Sequence, residues 1–346
     1  MRRTIFALTF LALVPGVALG LLSGGGRSTA VAEPAAAGLP DFASVVERIE
    51  PGVVHVHTYL SRGRDVPESD DRGPSDDFFG SGFLWSSDGY VVTNRHVVDG
   101  AKEVLVLVKG VGWMPARIVG TDPVVDIALL KVNGTNLPAL TLGSPRSLRV
   151  GQWVLSAGSP YRLPRSFSIG IVSGLERCDV VNPTGYEDYI QTDAAINLGS
   201  SGGPLFDASG RVVGLNTAIL SRSGGNQGIG FAVPIDVVAQ VVAQLQARGT
   251  VLRTTLGLFV RPLTPREGLG VPGGEGLLVT RFGEESPARR AGVAVGDVIL
   301  RVDGVPTPGR GALLRTVWSK RQGQTVVLDL LRGGQPLRVT ATLVEK

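Results

Sequence analysis

Short runs of β-forming residues, each followed by a turn signal, recur along most of this chain. The runs lie at residues 53–59, 82–85, 90–93, 104–108, 117–119, 128–132, 153–155, 168–172, 212–216 and 230–233. Regular short strands at this spacing predict paired β-barrels. The 48 glycines and 22 prolines agree with that interpretation, because both residue types disfavour a helical bundle.

Composition narrows the class of protein further. A length of 346 residues fits two domains, and 43% hydrophobic with 18% charged residues excludes a disordered chain and a multi-span membrane protein. The net charge of +4 comes from scattered basic residues, so no nucleic-acid partner is expected. The single cysteine, Cys178, excludes an intrachain disulfide and a cysteine-built metal centre.

The N-terminal segment has the features of an export signal. Two arginines at positions 2 and 3 precede residues 5–22, which carry no charge. This length lies between that of a cleaved signal and that of a spanning helix, and the A-x-A site at 30–32 stands far from the apolar stretch, so both an uncleaved anchor and a cleaved signal remain open. In either case the positive-inside rule predicts that Arg2 and Arg3 stay in the cytoplasm and that the chain after residue 27 lies outside it.

The pattern changes after residue 234. Apolar residues with helical spacing follow Pro234 and end at Gly249, and a second strand-rich unit begins near residue 250. We therefore expect four regions: a signal or membrane anchor with a tether (1–38), a first domain (39–236), a connecting helix and linker (237–252) and a second, smaller domain (253–346).

Two segments have the composition of loops. Residues 61–79 contain six acidic and three basic residues with four glycines or prolines, which predicts a mobile loop. Residues 221–228 are rich in glycine and serine.

A histidine, an aspartate and a serine that can together support nucleophilic catalysis occur in this order along the chain. His96 stands where a predicted strand gives way to a turn, and Asp126 leads into an apolar run where a buried carboxylate needs a donor such as an imidazole N–H. Residues 199–203 (GSSGG) can form a tight turn whose N–H groups converge on one point, the geometry that stabilises an oxyanion. Each element alone is more often structural, but the order His, Asp, Ser is that of chymotrypsin-like proteases.

The other two histidines suggest no site. His55 and His57 are two apart on a predicted strand and share a face, which could place two metal ligands. No third ligand stands nearby, so we expect no metal site.

Several sequence blocks together resemble a known family. They are GSGF (80–83), TNRHVV (93–98), DIALLKV (126–132), SIGIVS (168–173), QTDAAIN (191–197), GSSGGPL (199–205) and GFAVPI (230–235). In this order they resemble the HtrA (Deg) serine proteases, over a region from about residue 40 to the C-terminus. The resemblance implies a mainly β fold, with a chymotrypsin-like double β-barrel followed by one α+β PDZ domain, no metal or organic cofactor, and a homotrimer.

The resemblance also implies roles for single residues. His96 would be the general base, Asp126 would orient it and Ser201 would be the nucleophile. The N–H groups of Gly199, Ser200 and Ser201 would form the oxyanion hole.

This chain departs from the family pattern beside the nucleophile. Ser200 replaces the usual Asn, and Leu198 replaces the usual Pro, which permits backbone conformations that a proline forbids. No acidic residue stands among the six before Ser201, so a small apolar side chain is expected in a specificity pocket lined by Ile196 and Ile219.

In the second domain, SPARRAGV (286–293) and GDVILRVDG (296–304) strengthen the resemblance to a PDZ domain. Leu256, Gly257 and Leu258 would form the loop that binds the carboxylate of a C-terminal peptide. Thr255 stands where an aromatic residue is common, so the peptide preference is expected to differ.

The expected function is that of an ATP-independent serine endopeptidase on the periplasmic side of the cell envelope. It would cleave unfolded or regulatory proteins, bind C-terminal peptides through a PDZ domain that regulates activity, and contact the membrane through its N-terminal segment. A catalytically idle PDZ-containing chaperone or binding protein, and an esterase, are the alternatives.

Overall fold

The computed structural model describes residues 40–60, 77–160, 163, 165–178, 180, 187–221 and 225–345. The expected N-terminal anchor and most of the expected loop at 61–79 lie outside these residues. The last three residues of that loop belong instead to a strand, which begins at Asp77. In the described part of the chain, no helix has the length and apolar character needed to cross a membrane.

Six antiparallel strands form a first closed barrel. They are β1 (Val53–Leu60), β2 (Asp77–Leu84), β3 (Tyr90–Asn94), β4 (Ala101–Val108), β5 (Gly112–Asp122) and β6 (Ile127–Val132), in the order β1-β2-β3-β6-β5-β4. Helix α1 (Phe42–Ile49) precedes the barrel, and the short helix α2 (Arg95–Val98) follows β3. Fully buried valines such as Val54, Val91 and Val106 fill the interior.

Six further strands close a second barrel. They are β7 (Trp153–Gly158), β8 (Ser166–Arg177), β9 (Tyr189–Thr192), β10 (Pro204–Asp207), β11 (Val212–Ile219) and β12 (Gly230–Pro234), in the order β10-β11-β12-β9-β8-β7. The sequence patterns do not predict β9 and β10, because each strand has only four residues and therefore too few to show a period. The paired barrels agree with the expected chymotrypsin-like fold.

Helix α3 (Ile235–Arg248) packs on the core that both barrels share. Val238, Val242 and Leu245 on its apolar face are fully buried there. The helix ends at Gly249, whose φ of +76° suits glycine and whose N–H donates to the Leu245 carbonyl. The helix expected from the sequence as a connection thus contributes to the core of the barrels.

The second domain has its own sheet and core. Its strands are β13 (Thr254–Thr255), β14 (Leu258–Pro262), β15 (Leu277–Phe282), β16 (Val298–Val302), β17 (Val305–Pro306), β18 (Thr325–Arg332), β19 (Gln335–Thr342) and β20 (Val344–Glu345), and its helices are α4 (Pro287–Arg290) and α5 (Arg310–Trp318). The sheet has the order β14-β15-β16-β18-β19, with β17 beside β16, while β13 pairs with β20. Strand β14 is therefore an edge strand.

Arginine side chains join the second domain to the barrels. Arg315 of α5 forms an ion pair with Asp188, which is only 1% exposed. Arg253, just before β13, pairs with the fully buried Asp122 at the end of β5. The same Arg253 guanidinium lies 4.5 Å from the ring centre of Trp318. These contacts hold α5 beside the turn between β5 and β6.

Candidate active site

Two hydrogen bonds hold His96 and Asp126 together. His96 lies in α2, and Asp126 ends the turn between β5 and β6. One carboxylate oxygen of Asp126 accepts the His96 backbone N–H at 2.9 Å, and the other lies 2.5 Å from His96 Nδ1. When Nδ1 carries the proton of this hydrogen bond, Nε2 is the proton acceptor of the ring. The arrangement thus provides an oriented base.

The backbone of Asp126 is held in an uncommon conformation. Its φ of +61° lies in the left-handed region, which costs a residue with a side chain about 1 kcal/mol. The Asp126 carbonyl accepts from Asn94 Nδ2 at 2.8 Å and from the Arg95 N–H at 3.0 Å. Asn94 also donates to Thr217 Oγ1, in the second barrel, at 3.2 Å. Residues of both barrels therefore stabilise the position of Asp126.

The turn that carries Ser201 packs on the strand that leads to His96. A side chain at Gly202 would come within 2.2 Å of the Ser81 carbonyl oxygen and 3.0 Å of the Asn94 nitrogen, so the approach requires glycine. Among the described residues, no hydrogen bond joins Ser201 Oγ to His96. Catalytic hydrogen bonds of this kind often tighten only when substrate binds.

The two adjacent serines have different environments. Ser200 is 3% exposed, and its hydroxyl accepts the Asn197 N–H at 3.2 Å within the turn. Ser201 is partly exposed. Of the two serines, Ser201 is therefore the more accessible.

The turn before Ser201 contains the three N–H groups that are expected to bind the oxyanion. The Ser200 N–H donates to the Asn197 carbonyl at 2.8 Å, and Gly199 stands at the third position of this turn with a φ of +94°, as a type II turn requires. This hydrogen bond occupies one of the three donors expected from the sequence. The N–H groups of Gly199 and Ser201 make no hydrogen bond within the described part of the chain.

A buried serine of the first barrel supports this turn. Ser81 Oγ donates to the Gly199 carbonyl at 2.6 Å and accepts the Ser159 N–H at 2.8 Å. The Ser81 N–H donates to the Ser201 carbonyl at 2.9 Å, and Thr93 Oγ1 donates to the Ser81 carbonyl at 2.6 Å. Local sequence patterns do not indicate this role, although Ser81 lies within a block that carries the family resemblance.

The environment of Tyr189 on β9 raises the pKa of its phenol. Burial raises the pKa of the Tyr189 phenol, and the negative charges of Glu187 and Asp126 raise that pKa further. The phenol therefore stays neutral well above the pH at which an exposed tyrosine ionises. Sequence patterns give no signal for this residue.

The two residues expected to line the specificity pocket meet at a glycine. Ile196 is buried, and a side chain at Gly230 would come within 2.8 Å of Ile196 Cδ1. Ile219 pairs with Gly230 between β11 and β12. The Asn226 N–H, in the glycine- and serine-rich segment, donates to Asn197 Oδ1 at 2.8 Å. That segment is thus joined to the turn before Ser201.

The expected carboxylate-binding loop lies in the second domain, where β13 gives way to β14. Gly257 has a φ of +65°, and its carbonyl accepts the Gly283 N–H at 2.9 Å. The Gly257 N–H donates to Thr255 Oγ1 at 2.9 Å. The side chain of Leu256 is buried, and Leu258 begins the edge strand.

His55 and His57 lie on β1 beside Trp113. Their ring centres are 5.7 Å and 6.1 Å from that of the tryptophan. Among the described residues, no group of three His, Cys, Asp or Glu side chains could hold a metal ion.

Comparison with known proteins covers both folded regions. Residues 80–215 match the family model of the trypsin-like peptidase domain, and residues 254–343 match that of the PDZ domain. A probable periplasmic serine endoprotease, described as DegP-like, from Halomonas elongata is 39% identical over 340 residues, which are 88% of this chain and 71% of the relative. A protein of the same description from Pseudomonas putida is 40% identical over 338 residues, covering 89% and 70% of the two chains.

Solved structures are similar over nearly their whole length. The HtrA-type protease AlgW, solved with a tripeptide, superposes with a TM-score of 0.74 at 37% identity, covering 89% of this chain and 98% of that one. The serine endoprotease from Yersinia pestis gives a TM-score of 0.62 at 31% identity, covering 88% and 98%.

Proposed function

This chain belongs to the HtrA-type, DegP-like serine endoproteases, and from that premise we propose how its own residues cleave a peptide bond. It is a serine endopeptidase with a trypsin-like peptidase domain and one PDZ domain. We assign His96 as the general base, Asp126 as the residue that orients it and Ser201 as the nucleophile.

In the proposed reaction, Ser201 Oγ attacks the carbonyl carbon of the scissile bond while His96 Nε2 takes the hydroxyl proton. Asp126 stabilises the imidazolium that forms. The N–H groups of Gly199 and Ser201 bind the oxyanion of the tetrahedral intermediate, which collapses as His96 gives its proton to the leaving amine. Water, activated by His96, then hydrolyses the acyl-enzyme.

The observation that carries this proposal is the pair of hydrogen bonds from His96 to the two oxygens of Asp126. The bond from the backbone N–H positions the carboxylate, and the bond at Nδ1 orients the ring and favours the tautomer with its proton on Nδ1, which an idle binding protein does not need. Since the relatives are named endoproteases, the endopeptidase is supported over the idle binding protein suggested by Leu198 and Ser200.

A fluorophosphonate probe tests the assignment. The reagent should label Ser201, identified by peptide mapping, and should leave the adjacent Ser200 unmodified. The labelled protein should lose its ability to degrade unfolded casein. Labelling of Ser200, or casein cleavage that survives complete labelling of Ser201, would contradict the assignment.

We propose a small apolar residue, such as Val, Ala or Ile, at the cleaved position of the substrate. Ile196 and Ile219 lie beside Gly230 and would give such a pocket apolar walls. Mass-spectrometric mapping of casein products should show most cuts after such residues. Predominant cuts after Lys or Arg would refute this specificity.

We propose that a peptide bound to the PDZ domain activates the protease. Contacts such as the ion pair between Arg315 and Asp188 would transmit occupancy of the PDZ groove to the barrels. A peptide with an apolar C-terminus and a free carboxylate should accelerate cleavage of a short substrate that lacks a PDZ ligand. Its C-terminal amide should not, because the loop N–H groups then lose their anion. If the cleavage rate does not change although the peptide is measured to bind, the PDZ domain only tethers substrates and does not activate the protease.

The protein acts outside the cytoplasm, as the names of its relatives indicate. We further propose that residues 1–38 contact the membrane.

We also propose that the protein forms a homotrimer through its barrels. Trp153 on β7 and Ile169 on β8 are 41% and 46% exposed on adjacent strands, an apolar surface that a second copy could cover. Light scattering of the full chain in detergent, with and without Trp153→Glu, tests the trimer.

A further inference from the structure

Side chains that point outward from the first barrel form an aromatic surface. Leu107 of β4 pairs with His55 of β1 on one side and with Trp113 of β5 on the other, so these three side chains share a face. Trp113 is 51% exposed, and Tyr59, further along the same face of β1, is 40% exposed. The solvent face of a sheet is usually polar, and a cluster of exposed rings marks a binding surface. We call it the outer aromatic surface; it consists of His55, His57, Tyr59, Leu107 and Trp113.

Ring contacts connect this surface to the turn before Ser201. A side chain at Gly199 would come within 2.8 Å of the Phe79 ring, which lies at the edge of that turn. The Phe79 ring is stacked on His55 with ring centres 6.3 Å apart, and the His55 ring centre lies 5.7 Å from that of Trp113. The outer aromatic surface is therefore continuous with the candidate active site.

We propose that the outer aromatic surface is a second binding site for the substrate. It takes an unfolded segment that carries aromatic side chains on the C-terminal side of the scissile bond. The inference rests on the proposed catalytic function of Ser201, and it adds the chemical class of the preferred substrate.

The positions of the catalytic groups indicate which half of a substrate reaches this surface. Ile196 lies between β9 and β10, and Ile219 ends β11, so the pocket proposed for the residue before the scissile bond belongs to the second barrel. His96, which gives its proton to the leaving amine, belongs to the first barrel. The peptide therefore crosses from the second barrel to the first at the scissile bond, and its leaving half continues over the surface beside Phe79.

The spacing of the rings sets the length of the bound segment. Successive ring centres from Phe79 to His55, from His55 to His57 and from His57 to Tyr59 are 6.3, 6.3 and 4.8 Å apart. An extended peptide advances about 3.3 Å per residue, so the row of rings spans about five residues. Trp113 and Tyr59 would therefore meet side chains about four to six residues after the scissile bond.

The chemistry of the surface favours aromatic partners. Trp113 and Tyr59 expose parts of their rings, and two aromatic rings in offset or edge-to-face contact gain more than the burial of their area alone. A folded protein keeps most of its large apolar side chains inside, so an unfolded segment offers such rings more readily. The surface thus selects unfolded chains next to the site that cleaves them.

Cleavage of quenched fluorescent peptides by the full chain tests the inference. All peptides contain one Val and end in an amide, so that the second domain affects each of them equally. The first carries Phe four and six residues after Val, the second carries Ser at both positions, and the third carries the two Phe residues four and six positions before Val. Mass spectrometry identifies the cut in each peptide. We expect kcat/KM to be about tenfold higher for the first peptide than for the second or the third.

Two substitutions assign this preference to the outer aromatic surface. Trp113→Ser and Tyr59→Ser should each reduce the tenfold preference to less than about threefold, because each removes an exposed ring. Leu269→Ser removes an exposed apolar side chain of the second domain and should keep the tenfold preference. Each preference compares two peptides on one enzyme preparation, so a partly unfolded variant still gives a valid ratio.

The outcomes separate this inference from the function on which it rests. Equal cleavage of the first two peptides, or a preference that survives both substitutions, would overturn the inference while leaving the proposed reaction intact. If light scattering shows that Trp113→Ser changes the oligomeric state, a second copy covers the surface and the inference is wrong. If a fluorophosphonate does not label Ser201, the proposed function fails and the inference fails with it.

Discussion

The half of the active site that carries His96 and Asp126 is held mainly by hydrogen bonds that these two residues make with each other and with Asn94 and Arg95, and a single hydrogen bond from Asn94 to Thr217 reaches the second barrel. The half that carries Ser201 depends more on the other barrel, because Ser81 of the first barrel donates to the carbonyls of Gly199 and Ser201. The base half uses charged and partly exposed groups, whereas the nucleophile half uses glycine conformations and fully buried hydroxyls.

This difference indicates where the site is sensitive. The side chains of His96 and Asp126 are 40% and 30% exposed, so they have room to adjust to small movements of their neighbours. A tight turn tolerates little, because a single added methyl group meets backbone atoms at less than 3 Å. We therefore expect small substitutions in the nucleophile half to have effects out of proportion to their size.

The largest effect should separate the two adjacent serines. Ser201→Ala should reduce kcat/KM for a chromogenic peptide by several orders of magnitude, because it removes the attacking oxygen. Ser200→Ala is the matched control and should keep most activity, since it loses only the hydrogen bond from the Asn197 N–H. If Ser200→Ala is inactive and Ser201→Ala is active, Ser200 and not Ser201 is the nucleophile.

Gly199→Ala should reduce kcat by roughly 100- to 1,000-fold, the usual cost of losing an oxyanion donor. The φ of +94° disfavours alanine, and its Cβ would lie 2.6 Å from the Ser159 carbonyl oxygen and 2.8 Å from the Phe79 ring. Gly110→Ala is the control, because Gly110 also has a positive φ but has no atom within 4 Å of the added Cβ. If both variants keep full activity and circular dichroism shows a native fold, the conformation of Gly199 does not matter for binding of the oxyanion.

Ser81→Ala should have a smaller effect that appears in both activity and stability. It leaves the Gly199 carbonyl and the Ser159 N–H without their shared partner, which should cost about 1–3 kcal/mol in the free energy of unfolding. We expect kcat to fall about ten- to hundredfold. Thr307→Val removes a buried hydroxyl of the second domain and should reduce stability without changing kcat. Equal loss of kcat in both variants would show that Ser81 acts through stability alone.

The smallest effect concerns the phenol of Tyr189, whose pKa is raised first by burial and then by the charges of Glu187 and Asp126. Because the pKa of Tyr189 is raised in the folded protein, the neutral phenol contributes stability that is complete below about pH 10 and is lost as the pH rises. Between pH 9 and 11, Tyr189→Phe should therefore lose about 1 kcal/mol less stability than the parent.

Urea denaturation at both pH values measures this difference. Tyr59→Phe, on a side chain that is 40% exposed, should follow the parent protein. If Tyr189→Phe also follows the parent, burial does not raise the pKa of Tyr189 in the folded protein.

The sequence predicts the strands of both barrels well where a run is long enough to show alternation. It also places His96 and Asp126 at strand ends, because an isolated polar residue next to an apolar run marks such a position. Strands β9 and β10 are too short for any such pattern.

The support from Ser81 could not be predicted from local sequence. The contact exists only after two closed barrels dock, and nothing in the residues around Ser81 or Gly199 encodes that approach. The same holds for Tyr189, whose neighbour Asp126 belongs to a different barrel. The sequence also could not predict how many N–H groups are available to the oxyanion. The backbone geometry of the turn decides this, because the Ser200 N–H donates to the Asn197 carbonyl.

The hydrogen bond from Ser81 to Gly199 joins residues that are 118 positions apart. Because synthesis proceeds from the N-terminus, Ser81 exists long before the turn that it supports. A chain whose second barrel has not yet docked on the first therefore lacks the hydrogen bond from Ser81 to the oxyanion turn. We expect proteolytic activity to appear only after the two barrels have docked.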